Sequence, residues 1–115
     1  MGSHSLISDE PERLGGDNLG PNPFDLLGAA LASCTSMTIR MYAERKGWAV
    51  QNLTVSVDHQ RDRGHDTFTR IISFDGHLGE EARERLIDVS HRCPVHRVME
   101  GSATILTETD LPTNS

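Results

Sequence analysis

From Leu26 to Ile39 the chain reads LLGAALASCTSMTI, without one charged residue. Asn22 and Pro23 stand before this run, and Arg45, Lys46 and Gly47 follow it. An asparagine side chain accepts the orphan N–H groups of a first turn, and proline suits the first helical position. Cations favour a last turn, and glycine favours the left-handed stop after it. One long helix is therefore predicted from about Pro23 to about Lys46. Its first half is apolar nearly all round, which predicts burial on every side. It falls short of the roughly 20 apolar residues that cross a bilayer. Gly28, Ala29, Ala30, Ala32, Ser33 and Ser36 crowd it with small side chains. Gly28 costs about 1 kcal/mol against alanine. That cost suits a close approach, either by the chain's own sheet or by the same helix of a second copy.

Past the helix the period changes to two. Leu53, Val55 and Val57 alternate with Thr54 and Ser56, so Asn52 to Asp58 is predicted as a half-buried strand. Gln60 to Asp66 is charged, contains Gly64, and reads as a hairpin loop. Thr67 to His77 is a second strand with Phe68, Ile72 and Phe74 on one face and Ile71 on the other. A helical stripe returns at Ala82, Leu86, Val89 and Cys93, with Glu80 and Glu81 near its start, predicting a helix over Gly79 to Cys93. Pro94 cannot continue it smoothly and biases Cys93 away from helical geometry. Ser102 to Thr109, with Ala103, Ile105 and β-branched threonines, is predicted as a last strand. Leu6 and Ile7 suggest a short strand, broken at Ser8 to Pro11 by a loop that runs into Gly20 and Pro21. The tail from Asp110 is expected to fray. This order gives an α+β domain with an antiparallel sheet. So small a sheet under-covers the long helix, which favours a homodimer.

Composition narrows the function. At 115 residues the chain is one domain, large enough to bury a core. A formal charge of -6 excludes a nucleic-acid partner, since phosphate binding needs a basic face. Aromatic residues are 4%, so the core must be aliphatic. Two widely separated cysteines, with no secretory pattern, predict a reducing cytoplasmic setting, where a cysteine pair is more often redox-active than structural.

Cys34 and Cys93 combine reactivity with apolar settings. Either alone is well explained as a small core hydrophobe. A pair, each on the inner stripe of its helix, favours thiol chemistry. A reactive thiol must ionise, and burial opposes this. Cys34 lies about three turns into its helix, beyond the reach of the N-terminal dipole. It shares a face with Ala30, Leu31, Met37, Thr38 and Met41, while Arg40 points away. The supporting cation must come from elsewhere in the fold or from a second subunit. His96 and Arg97 are the nearest candidates, against the plainer reading of solvated loop residues. A metal held by His91, Cys93, His96 and Cys34 is weaker, because the spacing matches no standard zinc site. No GxSxG elbow is present.

GPNPFDLLGAALASCTSMTIRMYAERKGW together with RCPVHRVMEG, and the SDEP…GG…GPNP lead-in, resembles the OsmC/Ohr family (osmotically inducible protein C and organic hydroperoxide resistance protein). The resemblance implies a single domain over residues 1–115 with shortened N-terminal strands. It implies an intertwined homodimer, with two central helices between sheets and active sites at the subunit interface. It also implies a thiol peroxidase of oxidative stress defence that needs no cofactor. Cys34 takes the peroxidatic position and Cys93 the resolving one. In the best-characterised reductases a glutamate opens the helix ten positions before the cysteine; here Phe24 stands there, with Asp25 beside it. Asp25 thus joins His96 and Arg97 as possible support for the thiolate. The expected partners are an organic hydroperoxide and a dithiol reductant, with no membrane. Phe24, Leu27, Met37 and Met41 are expected to line an apolar substrate site. The alternative is a relative without peroxidase activity that binds a small apolar ligand at the dimer cleft.

Overall fold

The structure, a computed structural model, describes residues 2–109. Asn22 starts the long helix as its sequence requires. Its side chain accepts the Asp25 N–H at 2.8 Å, and the Asp25 carboxylate accepts the Asn22 N–H at 3.2 Å. This reciprocal cap opens α1, Pro23–Lys46, with Pro23 in its first turn. Gly47 ends it at φ 70°, a left-handed residue whose N–H returns to Ala43 and Glu44 carbonyls. Both boundaries agree with the sequence reading.

The buried positions of α1 are Gly28, Leu31, Thr35, Ile39 and Ala43, a single stripe with spacings of three and four. Burial on all sides is not seen within the chain: Leu27 is 44% exposed, and Met37 and Met41 are 62% exposed each. The chain itself covers one side of α1 and leaves the other bare.

That stripe is covered by a long hairpin. β1, Gln51–Asp62, pairs antiparallel with β2, His65–Asp75, in a two-stranded sheet. The turn is only Arg63-Gly64, with φ of 52° and 79°. Positive φ at both central residues matches strand twist in a two-residue hairpin. The charged stretch Gln60 to Asp66 is thus mostly strand, not loop. Its charges pair across the ladder: Arg61 faces Asp66 in register and grips it with two bonds of 2.8 and 3.0 Å. The inner face carries Leu53, Val55, Val57 and His59 from β1, and Phe68, Arg70, Ile72 and Phe74 from β2.

Gly28 packs on this sheet. A β-carbon there would meet Val57 at 3.4 Å, ordinary contact. Of the two close approaches expected for Gly28, the chain's own sheet is the one formed; Ala29, Ala30 and Ser33 are exposed.

α2, Glu80–Ser90, closes the core with Leu86 against Ile39, Ala43 and Phe74, and also buries Val89. It ends before the predicted Cys93. Cys93 is extended (φ -64°, ψ 136°), as a residue before proline prefers. Pro94 then opens a one-turn helix α3, Pro94–Arg97, followed by a wider turn over Val98–Ser102.

The last predicted strand is not formed. Residues 103–109 have no regular structure, and Ile105 and Leu106 are 89% and 85% exposed. A strand needs a neighbouring strand to take its backbone bonds, and among the described residues the one sheet pairs only β1 with β2. Leu6 and Ile7 likewise form no strand, and Asp110 onwards lies outside the described residues. The domain is α+β, as predicted, with fewer strands than the pattern suggested.

Since Gly28 has room for a methyl group, Gly28→Ala should leave the fold intact and raise stability by up to about 1 kcal/mol through helix propensity. Thermal melting checks this; a clear fall in Tm would mean the Val57 contact is tighter than its geometry.

Candidate active site

The site begins with the proline that breaks α2. Because Cys93 is extended and α3 starts behind it, its sulfur caps the new turn and accepts the His96 N–H at 3.3 Å. The side chain is fully buried, on the flank of α1 where Thr35 is also fully buried. The Thr35 Oγ1 to Cys93 Sγ distance is 3.8 Å. One residue earlier on α1 is Cys34, half-buried and near enough to Cys93 for each thiol to affect the other's ionisation. Both are free thiols. Two cysteines far apart in sequence thus lie near one another, one half-buried and one fully buried.

Their surroundings differ. Burial pushes the Cys34 thiol up, only partly offset by the Val95 N–H, and the neighbouring Cys93 adds to the rise. Burial also opposes ionisation of Cys93. There the hydrogen bonds prevail: the His96 N–H, the Cys34 thiol, the Thr35 hydroxyl and the Val95 N–H together hold it below the ordinary thiol range. Negative charge on the pair is thus better solvated at Cys93 than at Cys34.

A cation that the motifs do not mark, Arg70, reaches the flank of α1 that carries Thr35. Its Nη1 donates to Thr35 Oγ1 at 3.0 Å and to the Ser90 carbonyl at 3.3 Å. The parity of β2 could have found it, since Arg70 shares a face with Phe68, Ile72 and Phe74. His96 serves the site through its backbone N–H; its ring pairs with Glu100 at 3.2 Å and stacks on His91 at 5.6 Å. Arg97 is exposed, and Asp25 is engaged in capping α1. Among the described residues no three histidine, cysteine or acidic side chains converge on a metal position.

Met37 and Met41 lie on the bare side of α1 with Leu27, on the sequence face that also carries Cys34. Phe24 is ten residues before Cys34, about 15 Å along the helix axis. It stacks on His59 at 4.3 Å, with the Arg61 guanidinium 5.0 Å from its ring centre. A cleft of about 610 Å³ between the end of α1 and α2 is lined by Tyr42, Trp48 and Arg85 among others, but by neither cysteine. Phe24, Leu27, Met37 and Met41 do not line that cleft either.

A family model described as OsmC-like protein matches residues 15–108. The chain belongs to the OsmC family. No curated protein matches it significantly. Solved structures share the family's fold. An osmotic stress induced and detoxification response protein from Psychrobacter arcticus 273-4 is 22% identical, covering 79% of this chain and 69% of that one, with a TM-score of 0.70. An OsmC like protein from Mycoplasma pneumoniae is 24% identical over 81% and 70%, with a TM-score of 0.67. An organic hydroperoxide resistance protein OsmC from Legionella pneumophila is 20% identical over 81% and 72%, with a TM-score of 0.61. Among the described residues of this family member no helix is long and apolar enough to cross a membrane.

The hairpin tip that holds Phe24 has its own acid limit. Arg61, then His59, hold the Asp66 carboxyl down at about 2. A depressed folded pKa means that the stability this group contributes is complete above about pH 4 and lost as the pH falls through 2. A carboxyl-carbon NMR titration should place the Asp66 midpoint near pH 2, and Asp66→Asn should remove this acid-dependent step from the stability curve.

Proposed function

We propose that this OsmC family member is a two-cysteine peroxidase that reduces organic hydroperoxides in oxidative stress defence, working as a homodimer. The observation that carries this reading is the neighbouring placement of a half-buried Cys34 and a fully buried Cys93, each affecting the other's ionisation. Cys34 is the sulfur a peroxide can reach. Its attack on the distal oxygen releases an alcohol and leaves a sulfenic acid. Cys93, already beside it, displaces hydroxide and closes a disulfide. An external dithiol resets the pair by exchange. The solved relatives named for hydroperoxide resistance support the same chemistry by analogy.

Two features favour a second copy. Leu27, Cys34 and Met41 are spaced by seven, with Ala30 and Met37 between them, the repeat of a helix–helix seam. The radius of gyration is 18.3 Å, where a compact chain of this length would have about 13 Å. A partner helix on the bare side of α1 would cover the methionines and Leu27, and would put an apolar wall near Cys34. Such a wall suits an alkyl hydroperoxide better than hydrogen peroxide, with Phe24 at the more distant end of the same helix.

Stoichiometric cumene hydroperoxide should remove both thiols together, with a mass loss of two hydrogens. Cys93→Ser should instead leave a sulfenic acid on Cys34 that dimedone labels. If both thiols stay free, the pair is not a redox couple, and binding of a small apolar ligand becomes the better reading. Sedimentation at micromolar concentration should show a dimer, which Met41→Glu weakens, with loss of cumene hydroperoxide turnover.

A further inference from the structure

Tyr42 is the point where α1 and α2 bring their cations together. Arg45 and Lys46 follow it by three and four residues, so all three share one face of α1. The Arg45 guanidinium lies 5.9 Å and the Lys46 Nζ 5.7 Å from the centre of the Tyr42 ring. From α2, Arg85 Nε donates to the Tyr42 hydroxyl at 3.0 Å, and its guanidinium is 5.9 Å from the same ring. Arg92 stands two residues beyond the end of α2. The Arg85 hydrogen bond, then the charges of Arg85, Lys46 and Arg92, hold the Tyr42 phenol below its ordinary range. In a chain with a formal charge of -6, this gathering of cations inverts the local sign.

Two hollows flank Tyr42 and share Lys46. In the cleft of about 610 Å³, Glu81, Glu84 and Asp88 stand with Arg85, so both signs meet. The second is a groove of about 560 Å³ between α1 and the end of α2, lined by Thr38, Tyr42, Arg45, Lys46, Val89 and Arg92. It contains three cations and no carboxylate. Among the described residues no ion pair engages Arg45, Lys46 or Arg92. The C-terminal end of α1 supplies about half a negative charge, too little to balance three cations. A concave surface of one sign, with its cations unpaired, is suited to an anion.

We propose that this groove is a binding site for a small organic dianion of the phosphate-monoester class, its phosphate held by Arg45, Lys46 and Arg92 and its organic part against Val89 and Tyr42. Two guanidinium forks match phosphate oxygens in paired hydrogen bonds, and the lysine ammonium adds a third charge. A dianion answers three cations better than a single carboxylate does. The groove is of the size that small-molecule sites have and far larger than a bare phosphate fills. Val89 is almost fully buried and forms an apolar floor. Thr38 closes the inner end, one turn beyond Cys34 on α1, so an occupant borders the flank of the half-buried thiol. The site stands whether or not the two thiols reduce peroxides.

The test is a ¹H–¹⁵N NMR titration of the whole chain with phenyl phosphate. Backbone signals of Thr38, Tyr42 and Arg92 should shift saturably, while the hairpin turn at Arg63 and Gly64 stays still. Arg92→Gln and Lys46→Gln should each weaken binding about fivefold, the worth of one ion pair under water-like screening. Arg13→Gln removes the same charge outside the groove and should leave the affinity unchanged. All three positions are exposed, and an unchanged spectrum away from the substitution confirms each fold. Absence of a saturable shift, or equal weakening by Arg13→Gln, would reduce the effect to diffuse attraction and overturn the proposal. Inorganic phosphate binding as tightly as phenyl phosphate would overturn the organic ligand, and benzoate binding as tightly would overturn the dianion. No peroxide enters the titration, so its failure leaves the thiol chemistry untouched, and thiols inert to cumene hydroperoxide would leave the groove standing.

Discussion

The structure around the thiols depends on one guanidinium. Arg70 reaches from β2 to the middle of α1 and the last residue of α2, bonding to Thr35 and Ser90 together. It therefore joins the three main elements of the chain at the point where Cys93 is buried. A cation in this position would be a liability in an aliphatic core. Here its two acceptors, a buried hydroxyl and a helix-terminal carbonyl whose other bond is a long one from the Cys93 N–H, offset its loss of water.

The proline after Cys93 is the second constraint. It stops α2, turns Cys93 extended, and lets the next turn present its N–H groups to sulfur. Cys93 receives its strongest backbone bond, from His96, by this route. Cys34 sits in mid-helix, where its own backbone offers no free N–H group, and takes a weaker share of the same turn through Val95. The difference between the two thiols is thus a difference in backbone geometry before it is one of charge.

The bare side of α1 completes the picture. An isolated chain with Met37, Met41 and Leu27 in water, and Ile105 and Leu106 almost fully exposed, leaves much apolar surface uncovered. The alternation over residues 102–109 reads as strand in sequence, yet residues 103–109 have no regular structure. Both features are those of a chain whose apolar pattern exceeds what its own fold can bury.

Local signals determined α1, both of its caps, the pairing faces of the hairpin and the extended Cys93. In each case the cause lies within a few residues: Asn22 with Asp25, Gly47, the alternation of Leu53, Val55 and Val57, and Pro94. The motifs around Cys34 and Cys93 also marked the family correctly. What the sequence could not settle depends on contacts across long separations. Gln60 to Asp66 looked like a loop because its charges are polar in isolation, and became strand because Arg61 and Asp66 face each other. Nothing local in the sequence marks Arg70 except the parity it shares with Phe68, Ile72 and Phe74. Only the packing of β2 against α1 placed it on Thr35, and only the packing of α3 against α1 placed Cys93 beside Cys34. Local geometry is written in neighbouring residues, but the ionisation of a buried thiol depends on which donors the whole fold aims at it.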